Sequence, residues 1–157
     1  ALKQLTQANE ISGYKSKYNN QTITATHTTL LDVLPYTLII TLKRFDLYDD
    51  QVYKNDKYIS FPIELSIKKE MQHGIDKKDV KYQLKSIIVH HGNLSNAGHY
   101  ICYSYRVVNP NLINNPLTSH TKQAYWIKFD DHQMDIVSEE EVLQQKAYML
   151  LYEKKIN

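Results

Sequence analysis

A chain of 157 residues, 42% hydrophobic and 23% charged, has the size and composition for one moderate core, either a single domain or a large piece of one. Its net charge of +2 gives little attraction toward nucleic acid, and no apolar run approaches the ~20 residues that span a bilayer, so neither nucleic acid nor membrane is expected as a partner. A lone thiol, Cys102, excludes an internal disulfide framework and fits a reducing compartment, cytoplasm or nucleus; Ala1 in place of Met is expected to mark a cut or processing boundary.

In chain order, Leu2, Leu5 and Ala8 recur at spacing three, which predicts the tail of a helix over residues 1–10 that Gly13 breaks. Thr22-Ile23-Thr24-Ala25-Thr26 alternates as a strand or hairpin does. After Leu34-Pro35, the β-branched run 37–45 predicts a strong strand. Residues 46–53 read as a polar loop, and 58–62 as a short strand stopped by Pro62. The charged stretch 67–79, with Gly74, reads as a surface loop.

Residues 82–89 predict a second strong strand, 91–98 a loop of small and polar residues, and 99–107 a third strand. Residues 109–122 hold two prolines and four asparagines, as an insertion loop does. A fourth strand follows over 124–129. Ser138-Glu139-Glu140-Glu141 forms a capping box for a short helix, and 147–152 closes the chain as an apolar strand. Thirteen tyrosines suit half-buried strands, where the ring packs and the hydroxyl stays wet. The expected class is α+β, mainly antiparallel β.

The chemistry concentrates at Gly98-His99-Tyr100 and at the run from Tyr125 to Asp131. Gly98, after Ala97, lets another backbone approach closely. A loop-and-strand return brings Phe129-Asp130-Asp131 beside the start of the neighbouring antiparallel strand, where a carboxylate can orient the His99 ring. Such a pair serves a nucleophile on the other ring nitrogen. Cys102 is a poor candidate, because three residues of extended strand span ~10 Å and odd and even positions face opposite ways. It is expected to be a small buried hydrophobe. His27, His73, His120 and His132 lie in polar segments and read as solvated. His90, His91, His99 and Asp130 lack a ligand-spacing motif, so no metal and no cofactor are expected.

Five segments in order resemble the ubiquitin-specific proteases. Leu34-Pro35, then Leu38, Ile40 and Leu42-Lys43-Arg44-Phe45, resemble the strand upstream of that family's catalytic histidine. Tyr58-Ile59-Ser60-Phe61-Pro62 resembles its Phe-Pro element. The stretch from Tyr82 through His90 and Gly92 to Gly98-His99-Tyr100 resembles its histidine box. Trp126 with Phe129-Asp130-Asp131 resembles the segment of the third triad member, and residues 147–152 the terminal strand.

The resemblance implies a papain-like cysteine peptidase fold cleaving after the C-terminal glycine of ubiquitin. It implies that His99 is the general base, Asp130 its orienting acid and Asp131 a support to the same network. It places His90, Gly98 and Tyr100 near the channel for the ubiquitin tail. Residues 1–33 would be part of the fingers and 34–157 the palm with the histidine box, with the thumb absent. The implied partners are ubiquitin, ubiquitinated proteins and an N-terminal part carrying the family's cysteine box, to which nothing in this chain is similar. The alternative is a catalytically inactive ubiquitin-binding or scaffold protein with the same fold. Ser16 and Asn19 stand where many members have zinc-binding thiolates, and hydroxyl and amide groups are poor zinc ligands.

Overall fold

The computed structural model describes residues 2–49, 51–93, 97–108 and 123–156. The expected insertion loop 109–122 lies outside them. The chain divides into two compact units: Ala1–Leu34 with Ser66–Val80, and Pro35–Leu65 with Lys81–Asn157.

The first unit opens with a single helical turn, α1 (Leu2–Leu5), and a hairpin of β1 (Asn9–Lys15) and β2 (Thr22–His27). The helix is shorter than expected, since Asn9 and Glu10 already pair with His27 and Thr26. Gly13 therefore breaks no helix. It takes φ +77° where the register slips between Ile11 and Tyr14, a backbone state that glycine reaches without steric conflict. Ser16 and Asn19 close the hairpin turn by hydrogen bonds: the Tyr18 N–H donates to Ser16 Oγ at 3.3 Å and the Gln21 N–H to Asn19 Oδ1 at 3.2 Å. The expected surface loop 67–79 contains a 3-10 turn, Lys69–Met71, and Met71 and Gln72 beside it are buried.

In the second unit the strands are β3 (Thr37–Thr41), β4 (Phe45–Tyr48), β5 (Gln51–Lys54), β6 (Glu64–Ile67), β7 (Val80–His91), β8 (His99–Val108), β9 (Gln123–Asp130), β10 (Gln133–Val137) and β11 (Ala147–Lys154), of which β6 and β7 begin or end within the first unit. The sheet runs β10-β9-β8-β7-β11-β3, with β6 also paired to β7, and its path is antiparallel throughout. A short helix, α2 (Glu139–Leu143), starts where the capping box predicts, with the Glu141 N–H donating to Ser138 Oγ at 3.1 Å.

β7 shows why the apolar pattern works. Tyr82 and Leu84 are buried, then Ile87 and Val89, so the buried positions change from even to odd. The change falls where β7 slips against β11, with Ser86 opposite Leu151 and Leu84 opposite Tyr152. One extra residue keeps the same face inward. Two core tyrosines satisfy their hydroxyls on proline carbonyls that lie outside the strands: Tyr82 Oη donates to Pro35 O at 2.6 Å and Tyr152 Oη to Pro62 O at 2.7 Å. Both phenols are pushed up by burial, so the tyrosine content serves the core as well as the surface.

Three expectations are corrected around Arg44. The strand expected over 37–45 ends at Thr41, the polar loop 46–53 is the β4–β5 hairpin, and 58–62 forms no strand. Arg44 is buried, and it donates from Nε to Ala147 O at 2.7 Å and from Nη1 to Asn55 O at 2.9 Å and Lys57 O at 2.8 Å. These carbonyls satisfy the inward-turned guanidinium at Nε and Nη1.

Candidate catalytic site

β8 begins at His99, and β9 ends at Asp130. The register sets Phe129 opposite Cys102, which carries the next residue, Asp130, abreast of the start of β8. His99 Nε2 and Asp130 Oδ1 are 2.6 Å apart. The second carboxylate oxygen, Oδ2, lies 3.3 Å from Lys128 Nζ. Asp130 thus bridges an imidazole and an ammonium, which fixes the carboxylate in two directions.

The charges follow from this geometry. The hydrogen bond to Asp130 raises the His99 pKa above its ordinary value, with Asp131 adding to the shift. The same bond, with Lys128, lowers that of Asp130. With Nε2 committed to Asp130, Nδ1 of His99 is the nitrogen left to serve a reacting group. Asp131 follows at φ +52° in the two-residue turn between Asp130 and Gln133, where β9 meets β10. The sequence pattern did not reveal that hairpin, although an aspartate in a left-handed turn position between two alternating runs signals one. Asp131 is exposed and comes within 4.8 Å of the other two, the one His/Cys/Asp/Glu triplet among the described residues that converges closely enough to hold a metal ion. Within this triplet His99 and Asp130 are bonded to each other.

Cys102 sits opposite Ile88 and Phe129, on the even positions of β8. It is half-buried rather than buried, and desolvation pushes its thiol up, away from thiolate formation.

The other predicted residues pack against one another where β7 meets β8. His90 is opposite Tyr100, and their rings are 4.7 Å apart. A Cβ on Gly98 would collide with His90 Nε2 and with the His91 carbonyl, so only glycine fits there. Burial, and Lys54 nearby, lower the His90 pKa below its ordinary value. Two residues outside the predicted site, though within the family-like motifs, complete a ring cluster. Phe45 meets His90 edge-on at 5.5 Å, and Tyr148 lies 6.3 Å from Phe45 and 6.2 Å from Tyr100. Tyr148 is the extra residue where β11 slips against β7, between Ala147 opposite Val89 and Met149 opposite Ile88. A bulge re-aims a side chain in this way, and only strand pairing reveals it.

The family model for ubiquitin carboxyl-terminal hydrolase matches residues 3–152. The chain belongs to this family. Ubiquitin hydrolase B of Dictyostelium discoideum is 35% identical over 98% of the chain, which corresponds to 30% of that protein. Among solved structures, a variant Ubp8 in the SAGA DUB module with Sgf11, Sus1 and Sgf73 is similar over 99% of the chain and 32% of its own, with TM-score 0.75 and 28% identity. The same module bound to ubiquitin aldehyde gives TM-score 0.70 and 27% identity, again over 99% of the chain and 32% of its own. The chain therefore spans about a third of the length of these relatives. Among the described residues, no helix is long and apolar enough to cross a membrane.

Proposed function

We propose that this chain is the histidine–aspartate part of a deubiquitinase whose nucleophilic cysteine is supplied by a further part of the parent protein. The observation that carries the reading is the 2.6 Å bond between His99 and Asp130, which occupies Nε2 and leaves Nδ1 as the ring nitrogen that would serve a nucleophile. His99 takes the thiol proton at Nδ1, and the thiolate attacks the carbonyl carbon of the C-terminal glycine of ubiquitin. Collapse of the tetrahedral adduct breaks the C–N bond as His99 returns the proton to the leaving amine, a lysine side chain or a chain terminus. Water then hydrolyses the thioester with His99 as base. Asp130 holds the ring and Asp131 adds negative potential to it.

His90, Gly98 and Tyr100 line the path of the ubiquitin tail. Residues 1–33 act as part of the fingers and 34–157 as the palm. Ubiquitin and ubiquitinated proteins are the partners, in cytoplasm or nucleus, where the thiol stays reduced.

The test uses the parent protein. His99→Ala is expected to remove measurable hydrolysis of a fluorogenic ubiquitin substrate while ubiquitin binding persists, and Asp130→Asn to be milder than Asp130→Ala, because an amide still orients the ring. Wild-type turnover in all three variants would overturn the mechanism. A parent that binds ubiquitin but never turns it over would establish the scaffold reading instead.

A further inference from the structure

The neck of the β7–β8 loop is unusually tight. Gly92, at φ +121°, would bring a Cβ to 3.0 Å of Gly98 Cα and 3.1 Å of the Ala97 carbonyl, and Gly98 has no room for a side chain against His90. Two backbone segments pressed this closely need their outward carbonyls satisfied by something else. That partner is a lysine from a different hairpin. Lys54, the last residue of β5, donates from Nζ to His90 O at 2.9 Å and to Gly92 O at 2.6 Å, and its third contact is Asp56 Oδ1 at 3.3 Å. The Lys54 side chain is only 9% exposed. An ammonium has three donors, and this one has three acceptors within reach, so it is fully committed. Asp56 in turn lies 3.9 Å from Lys146 Nζ, just ahead of β11.

We propose that Lys54 is a positioning residue, pinning the β7–β8 neck to the β4–β5 hairpin so that His90, Gly98 and Tyr100 hold the wall of the substrate-tail channel. The proposal rests on the deubiquitinase reading above. Its physical basis is the direction of the three bonds. Phe45 at the start of the same hairpin packs on the His90 ring, while Lys54 at its end holds the His90 and Gly92 carbonyls, so one hairpin grips both the side chain and the backbone of the wall. His99 pairs with His91, one position along from the His90–Tyr100 pair, and so presents its side chain to the opposite face. Loss of Lys54 therefore loosens the channel and leaves the acid–base pair in place.

The experiment compares Lys54→Met with wild type in the full parent protein, using a fluorogenic ubiquitin substrate and, separately, alkylation of the catalytic thiol by chloroacetamide across pH. The expected result is a kcat/KM lower by about 10- to 100-fold, the scale of a misplacement near 1 Å, with the alkylation rate and its pH profile unchanged. Wild-type turnover in a folded Lys54→Met protein overturns the proposal, as does an alkylation profile displaced with the turnover, since Lys54 would then act on the His99 pair. Should Lys54→Met fail to fold, Lys54→Gln takes its place with the same measurements, and the same two results overturn the proposal. Failure of the underlying reading looks different: the wild-type parent is then inactive, or His99→Ala is as active as wild type.

Discussion

The β1–β2 hairpin and the β7–β8–β9 sheet are written in similar alternating, β-branched sequence, yet only the sheet buries its apolar side chains. On the hairpin Ile11, Tyr14 and Ile23 are all exposed, and local hydrogen bonds accepted by Ser16 and Asn19 close its turn. On the sheet Tyr82, Leu84 and Ile87 have no exposed surface. Three or more strands with a covered face supply rigidity that two do not. A histidine and an aspartate held 2.6 Å apart require that rigidity, and they are found on the sheet.

The largest test of the contrast replaces one buried and one exposed side chain. Leu84→Ala is expected to destabilise the protein by about 2–5 kcal/mol in urea unfolding, and Ile23→Ala by about 0.5 kcal/mol or less. Similar shifts of the two midpoints would erase the difference between the regions.

A smaller contrast uses glycines. Gly98→Ala forces a methyl against His90 and the His91 carbonyl, so it should cost about 1–3 kcal/mol through overpacking and also depress turnover of the parent. Gly13→Ala meets nothing within 4 Å and carries only the strain of φ +77°, about 1–2 kcal/mol, which hydrogen exchange should localise to the hairpin. Exchange that spreads into β7 and β8 after Gly13→Ala would show that the hairpin and sheet unfold together.

Hydroxyl removal gives a subtler effect. Tyr82→Phe deprives the Pro35 carbonyl of its donor and should cost about 1 kcal/mol, whereas Tyr14→Phe, on the exposed hairpin, should leave the urea midpoint within error.

The smallest effect is a pH dependence confined to the site. The folded pKa of His99 is raised, so its contribution to stability is complete below the unfolded value and fades as pH rises through the folded one. That of Asp130 is lowered, so its contribution is complete above the unfolded value and is lost as pH falls through the folded one. Wild type should therefore exceed Asp130→Asn in urea midpoint by more at about pH 5.5 than at about pH 8.5. In the variant, the His99 titration followed by NMR should move down toward ~6.5. A His99 titration unchanged by the substitution would break the pairing itself.

Much of the sheet was legible because burial leaves a periodic trace. The strands from residues 82, 99, 124 and 147 were expected within a few residues of β7, β8, β9 and β11, and the Ser138 cap marked α2. Strand order brought the Asp130-Asp131 carboxylates beside His99, and the family resemblance singled out Asp130. Elements held by long-range partners were not legible. The β4–β5 hairpin reads as a polar loop, because what anchors it is Arg44 and Lys54 reaching carbonyls of other segments. β10 alternates at Met134 and Ile136 but is exposed along most of its length, so too few apolar positions mark it as a strand of the core.

The amino-acid order by itself determined the mainly antiparallel strands, the glycine at position 98 and the histidine–carboxylate pair, because alternation, backbone freedom and neighbour pairing act over short reach. Tertiary structure alone decided which face of each strand the slips between β7 and β11 turn inward, and that Phe45 and Tyr148 join His90 and Tyr100. It also decided that Lys54 directs its charge to the His90 and Gly92 carbonyls. A single extra residue in a strand, or a lysine ammonium shared between two distant carbonyls, has partners tens of residues away, and no local pattern encodes where they will be.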